Sequence, residues 1–573
     1  MAKDHLSVGL WSDGALQDQP TYRLAMRASI SALSERTRDV ISVAIIACAL
    51  LLPVWGLLRY QGPPMEEGFM LAFPEQILQG RFPHRDFLHL YGPGSLWLLA
   101  GIYKIFGTTI TVERSVGLLQ HAGVTFGMFA LLKPFGRRIA TAAALVSLVI
   151  LIGPLGLSAM AWNGALACAV CALAVGAAAC RPNIKHANSL AVLSGVLAGA
   201  ALLFRPDLVI AVGIGSVAMM FRLGKPQRIR LILGGVATLA LYLPHILISG
   251  VGAAFEGMFL DPVFKLRAGR SLPVPPSWNQ VDGFLQRAGA LRLSGWPLPM
   301  PALSHQIFLW FFLVPASILL VLFGAWRLRK RELTSQRTTA LWPAALFCAA
   351  LITQAVQRPD TAHLSWVTGI SFALCIPAVA VLIQQARPTW EVGRSAWLAT
   401  LPIALILLAV IPFYPLRTYA DLVGQTFGRN QFGYEISRND RVFYFGSAEG
   451  AEDAQAVTDS LSERSKPGES LIVGPTDLSR ANYSDAFFYY LFPELPPGTR
   501  YIEMDPGLAD AKDSGLAAEL LRNDWLILSD AWSGWTEPNQ SAGSGSPAPN
   551  QVVKDHYCMV TEANMFSLYQ RCR

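Results

Sequence analysis

Apolar stretches near the length needed to cross about 30 Å of hydrocarbon recur along the chain from Val40 to Phe413, separated by short polar connections. The pattern predicts helical spans at 40–58, 115–132, 139–157, 164–180, 189–204, 207–221, 231–249, 305–326, 338–357, 364–386 and 396–413. The segment Pro93–Gly107 is also apolar and aromatic, but it carries Lys104 and is short for a crossing. Past Phe413 the apolar runs shrink to strand length, at Ser470–Val473, Arg500–Met504, Trp525–Leu528 and Met565–Tyr569. Helical patterns at Glu449–Arg464, Asp485–Phe492 and Leu516–Asn523 lie between them, so this part is expected to form a small α/β layer domain. Ser541–Asn550, rich in Gly, Ser and Pro, is expected to be a loop too polar to pack.

Composition agrees with this pattern. The chain is 53% hydrophobic and 15% charged, against about 25% charged in soluble domains, so the apolar surplus has to face lipid. Connection charge then sets the orientation. With Pro93–Gly107 placed at the interface, loops 133–138, 181–188, 222–230, 327–337 and 387–394 hold 16 Lys and Arg in 42 residues. Loops 59–114, 158–163, 205–207, 250–304 and 358–363 hold 12 in 126. The positive-inside rule assigns the first set to the cytoplasm. The expected architecture is therefore an α-helical polytopic membrane protein with about eleven spans. It has a cytoplasmic tail at 1–39 (carrying Arg23, Arg27, Arg36 and Arg38), a membrane domain at 40–413 with outer loops 59–114 and 250–304, and an extracytoplasmic α/β domain at 414–573. No cleavable signal is visible; the first apolar run reads as an uncleaved span.

The net charge of +7 follows from this topology and does not call for a nucleic-acid partner. Six of the eight cysteines lie in apolar runs; Cys168-x-x-Cys171 has no His or charged neighbour and reads as packing. Cys558 and Cys572 fall in the tail, on the oxidising side, where a disulfide is expected.

Candidate chemistry gathers at the outer ends of the spans. The first outer loop carries Glu66-Glu67 and then Arg85-Asp86-Phe87-Leu88-His89-Leu90-Tyr91, two acidic clusters placed to converge on one site at the membrane surface. Arg205-Pro206-Asp207 and Arg358-Pro359-Asp360, the latter followed by His363, interrupt later apolar runs at the same side. Ions at a lipid boundary are costly unless used or hydrated, and an Arg there suits a phosphate or pyrophosphate group. No G-x-x-x-x-G-K-S/T, G-x-G-x-x-G after a strand, G-x-S-x-G, H-E-x-x-H or D-x-D occurs, so nucleotide-driven pumping and the common soluble hydrolase chemistries have no motif here.

The stretch EEGFMLAFPEQILQGRFPHRDFLHLYGPGSLWLLAGIYKIFG, followed by Arg114 and a span ending in LLKPFGRR, resembles the GT-C superfamily of integral-membrane glycosyltransferases, in particular the aminoarabinose and protein mannosyl transferase type. The Ala- and Arg-rich usage and the α/β tail look similar to those of a high-GC, actinobacterial envelope enzyme. The resemblance implies an inverting transfer from a polyprenyl-phosphate sugar to an envelope glycan, lipid or protein at the outer face of the cytoplasmic membrane. It implies Glu66 or Glu67 at the acceptor, Asp86 as the second acidic residue and Arg205 at the lipid phosphate; Arg85, His89, Tyr91, Asp207, Arg358, Asp360 and His363 are expected in substrate binding from their place at the outer face. Glu replaces the more usual Asp at the first position, and Tyr91-Gly92-Pro93 stands where Lys-Pro-Pro is common. Loop 250–304, with Trp278 and Trp296, is either a cover for the donor or an ordered tether. No protein metal site is predicted, and any divalent-metal requirement stays open. The rival readings are a transporter or lipid flippase and a noncatalytic assembly protein.

Overall fold

Lipid supplies no hydrogen bonds, so every spanning segment has to satisfy its backbone internally, and this chain does so with helices. The computed structural model describes residues 34–62, 65–288, 301–390, 392–429, 433–481, 483–531, 533 and 536–572, with Leu155 and Val392 described by backbone alone. Among the described residues, nine helices are long and apolar enough to cross a membrane, running from Glu35–Leu57 to Thr361–Ala386. Two shorter apolar helices, Pro206–Met220 and Gly393–Ala409, stand where the sequence predicts two further spans. Helix Gly94–Phe106 has 13 residues, about 20 Å of rise. It is too short to cross, and it packs on Glu66–Leu78, where the Tyr103 hydroxyl donates to the Met70 carbonyl at 3.2 Å.

The helix ends follow local chemistry. Ser34 and Thr109 cap their helices by accepting from Thr37 N–H and Val112 N–H. Two helices stop at an arginine because proline comes next. The residue before proline is pushed out of the helical region, and Arg205 (φ −137°) and Arg358 (φ −155°) are both extended. The predicted span at 231–249 forms as part of a broken helix, Lys225–Leu239 and then Tyr242–Ser249. Loop 250–304 is not a simple tether. Residues 251–270 form helical segments, Val251–Phe255, Glu256–Lys265 and Leu266–Arg270, and Trp278 stacks on His305 at 4.0 Å. Trp296 lies outside the described residues.

The tail is a small sheet domain. Strands β1 (Tyr434–Arg438) and β2 (Arg441–Phe445) form an antiparallel hairpin. Strands β3 (Leu471–Pro475), β4 (Trp525–Ser529), β5 (Tyr557–Glu562) and β6 (Phe566–Arg571) form a sheet of order β3-β4-β6-β5, parallel between β3 and β4 and antiparallel elsewhere. Helix Ala448–Arg464 covers it, burying Ala454, Val457 and Leu461. Cys558 and Cys572 are bonded with Cα atoms 5.3 Å apart, tying together the open ends of the β5–β6 hairpin.

Two tail expectations are corrected. Arg500–Met504 forms no strand; Ile502 and Met504 point inward, but the chain turns there, with Met504 at φ +52°. The Ser541–Asn550 stretch does pack: Gly545 N–H bonds Ser479 O at 2.6 Å, Ser546 N–H bonds Asp510 O at 2.8 Å, and helix Ala548–His556 begins within it. The sheet domain is seated on the first long loop. Phe69, Phe73 and Leu96 share one apolar core with Ile436, Phe443, Phe487 and Phe566, and Arg441 holds Glu75 through bonds of 2.6 and 2.7 Å. The domain thereby reaches residues at the span ends.

Candidate active site

Glu66 and Glu67 open the helix Glu66–Leu78. Successive helical residues point about 100° apart, and the two carboxylates have different surroundings. Glu67 is fully buried and gripped by Arg114, whose Nε and Nη2 reach Oε1 and Oε2 at 2.7 Å each. Arg114 Nη1 donates to Leu57 O at 2.8 Å. Gly62 lies against the pair, so close that a Cβ there would sit 2.3 Å from Glu67 Oε2. Glu67 is thus a fixed member of a buried ion pair and has no oxygen free for an acceptor. Glu66 has a partly exposed side chain with a buried Oε2 that has no hydrogen-bond partner among the described residues. Burial pushes its pKa above the usual carboxylate range, and Arg270 and Arg358 partly oppose this.

Arg270 and Arg358, whose charges act on Glu66, line a cavity of about 90 Å³ together with Tyr91, Arg205, Arg267 and His363; Glu66 itself is not one of its lining residues. Arg205 is pinned by Asp207 (2.8 and 2.7 Å) and sandwiched by Tyr91 and Trp162, with ring centroids 4.2 and 4.6 Å away. Arg358 repeats the construction with Asp360 at 2.9 Å, and also takes Glu537 of the sheet domain in a two-bond pair at 2.6 and 3.0 Å. Both loops read Arg-Pro-Asp: the proline releases the arginine from the helix, and the aspartate two residues on orients its guanidinium. Asp360 also caps the next helix and accepts from His363 Nδ1 at 2.8 Å. Burial alone raises its pKa, but His363 and Arg358 overcome this and hold it near 2.

The remaining predicted residues are elsewhere. Asp86 closes a tight turn, accepting from Phe82 N–H at 2.7 Å and pairing with Arg85 at 2.8 Å; neither Asp86 nor Arg85 lines the cavity. Arg85 and the Phe82 turn thus occupy the Asp86 carboxylate. His89 is buried without a hydrogen-bond partner for either ring nitrogen among the described residues, edge-on to Tyr91 and Phe73. Asp207 serves Arg205 and accepts from Gln354 at 3.1 Å.

Residues not anticipated from sequence complete the site. Arg270 is neutralised by Asp505 of the sheet domain and stacks over Tyr483 at 5.3 Å. Glu503, close to Asp505, is buried with Oε1 unpartnered among the described residues; burial, and then the Asp505 charge, push its pKa well above the usual range. Arg267 is exposed and has no carboxylate partner among the described residues. One sequence signal pointed here: Lys265, Arg267 and Arg270 crowd basic charge into a loop that the positive-inside rule leaves poor in it. Glu503 and Asp505 gave no comparable signal, because their segment reads as a strand.

The site sets the Glu66 carboxylate within the electrostatic reach of oriented guanidiniums, a pairing suited to accepting a proton near a bound oxyanion. No protein-family model matches the sequence, and no curated protein matches it. Solved structures do match. ArnT from Cupriavidus metallidurans, bound to undecaprenyl phosphate, superposes at a TM-score of 0.51 and 13% identity, covering 94% of this chain and 98% of that one. The Archaeoglobus fulgidus oligosaccharyltransferase tethered to an acceptor peptide gives 0.48 at 12% identity, over 93% of this chain and 74% of that one. Arabinofuranosyltransferase AftD from Mycobacteria gives 0.43 at 13% identity, over 94% and 42%. The match to ArnT runs over nearly the full length of both chains, and the chain has the GT-C fold.

Proposed function

We propose that this protein transfers a sugar from a polyprenyl-phosphate donor to a hydroxyl of an envelope glycan, lipid or protein at the outer face of the cytoplasmic membrane, with inversion. The observation that carries this reading is the contrast at the head of one helix: Glu67 is consumed by Arg114, whereas Glu66 Oε2 has no hydrogen-bond partner among the described residues and its carboxylate feels Arg270 and Arg358 of the arginine-lined cavity. Glu66 takes the proton of the acceptor hydroxyl as its oxygen attacks the anomeric carbon. The bond from that carbon to the phosphate oxygen breaks on the opposite face, and its electron pair stays on the polyprenyl phosphate. Arg267 and Arg270, with Arg205 and Arg358 behind them, meet the departing charge. Asp86 has no part in this scheme. ArnT, which shares the fold, was solved with undecaprenyl phosphate, and this supports a lipid phosphate as the leaving group.

The topology that goes with this reading places the N-terminus in the cytoplasm and the sheet domain outside. A transporter would instead carry polar groups at mid-membrane on broken helices; here the charged cluster sits where spans end. Purified protein incubated with a polyprenyl-phosphate sugar and envelope extract tests the reading. Acceptor-dependent release of polyprenyl phosphate is expected; binding without release would favour a transporter.

A further inference from the structure

A cavity of about 680 Å³ forms a groove separate from the Glu66 site. It runs between helix Val209–Met220 and helix Gln336–Ala350. Its wall is apolar: Ile214, Val217 and Phe221 are exposed along it by 42, 46 and 76%. At its end stand Arg222 and Arg329, both held by neutral partners. Arg222 donates from Nε and Nη2 to Thr339 Oγ1 at 3.2 and 3.0 Å. The Arg329 guanidinium lies 4.7 Å over the Trp342 ring. Neither has a carboxylate partner among the described residues, although the nearby Glu332 is paired with Arg337.

We propose that this groove binds an anionic diacyl phospholipid, with one acyl chain along the apolar wall and the phosphodiester between the two guanidiniums. Bilayer hydrocarbon is as apolar as the groove, so the chain gains little by moving into it. Selectivity therefore has to come from the head group, and the two fixed, unneutralised cations favour net negative charge over a zwitterion, whose ammonium they repel. On the topology proposed above, the mouth opens to the cytoplasmic leaflet, where basic pockets between spans meet anionic lipid.

The test is native mass spectrometry of the full-length protein titrated with phosphatidylglycerol, phosphatidylethanolamine and polyprenyl phosphate. Phosphatidylglycerol is expected to bind with preference over phosphatidylethanolamine, weakened about fivefold for each arginine changed in Arg222→Gln and Arg329→Gln. Val217→Trp fills the groove without changing charge and should abolish the same adduct, which keeps the test decisive if the double glutamine variant folds poorly. Equal binding of the two phospholipids, or full phosphatidylglycerol binding by Val217→Trp, overturns the proposal. So does polyprenyl phosphate displacing phosphatidylglycerol, since the groove would then belong to the donor.

Discussion

Arg114 holds Glu67 through two parallel bonds of 2.7 Å in a fully buried pair, while Glu66, the preceding residue, has no such partner. Two carboxylates adjacent in sequence therefore face opposite tests. Removing one member of a buried pair leaves the other charge uncompensated, typically at about 3–5 kcal/mol. Glu67→Gln and Arg114→Leu should each lower the unfolding temperature in detergent and the yield of folded protein. Wild-type thermal stability in both would remove the structural role assigned to the pair.

Glu66 should behave in the reverse way. Burial raises its pKa in the fold, so the fold favours the protonated form. The stability that form contributes is present in acid and is lost as pH rises through the raised value. At neutral pH, Glu66→Gln is expected to unfold at or above the wild-type temperature, with the difference vanishing at acid pH where both side chains are neutral. A marked loss of stability at neutral pH would show that the carboxylate is structural.

The same shift sets the pH profile of catalysis. A base has to be ionised, so kcat/KM should rise with pH through a midpoint above the usual carboxylate range. Arg270 and Arg358 lower that midpoint, and Arg270→Gln should therefore move it further up. A profile flat from pH 5 to 8 in both proteins would exclude Glu66 as the titrating base.

Among the arginines, Arg267 isolates donor binding from folding because it is exposed and has no carboxylate partner among the described residues. Arg267→Gln should weaken binding of a polyprenyl phosphate by about 10-fold or more, the worth of one charged hydrogen bond, with unchanged thermal stability. Arg358→Gln should reduce both, since it strands Glu537 and Asp360. Calorimetric titration in detergent, beside thermal unfolding, separates the two. Equal donor affinity in Arg267→Gln would remove that residue from the phosphate site.

Much of this was legible in the sequence. Hydrophobic period and length gave the span layout, and the 13-residue Gly94–Phe106 agrees with reading that segment as too short to cross. Both Arg-Pro-Asp loops announced themselves because charge at a lipid boundary is conspicuous against an apolar background. What could not be read was pairing across distance. Nothing local distinguishes Glu66 from Glu67; the distinction is made by Arg114, 47 positions away. The partners of Asp86, its neighbour Arg85 and the Phe82 N–H, were equally hidden in the sequence. Glu503 and Asp505 were hidden for a related reason. Their segment alternates like a strand, but tertiary demand turns it toward Arg270.

Orientation has its own test, single-cysteine labelling with an impermeant thiol reagent in a cysteine-free background. Ser277, in the loop that carries Arg270, should label from outside, and Ser335 should not. Ser484 is unsuitable because it is buried. Labelling of Ser335 with protection of Ser277 would invert the topology.

The central claim is that Glu66 is the base of a glycosyl transfer. Its most direct test is transfer from a polyprenyl-phosphate sugar by purified wild-type and Glu66→Gln protein under single-turnover conditions, with donor binding measured on the same samples. Glutamine keeps the volume and hydrogen bonding of the side chain but cannot take the proton. Turnover should fall by about 10² to 10⁴ while donor affinity and unfolding temperature stay near wild type. Near-normal transfer by Glu66→Gln protein would contradict the mechanism outright.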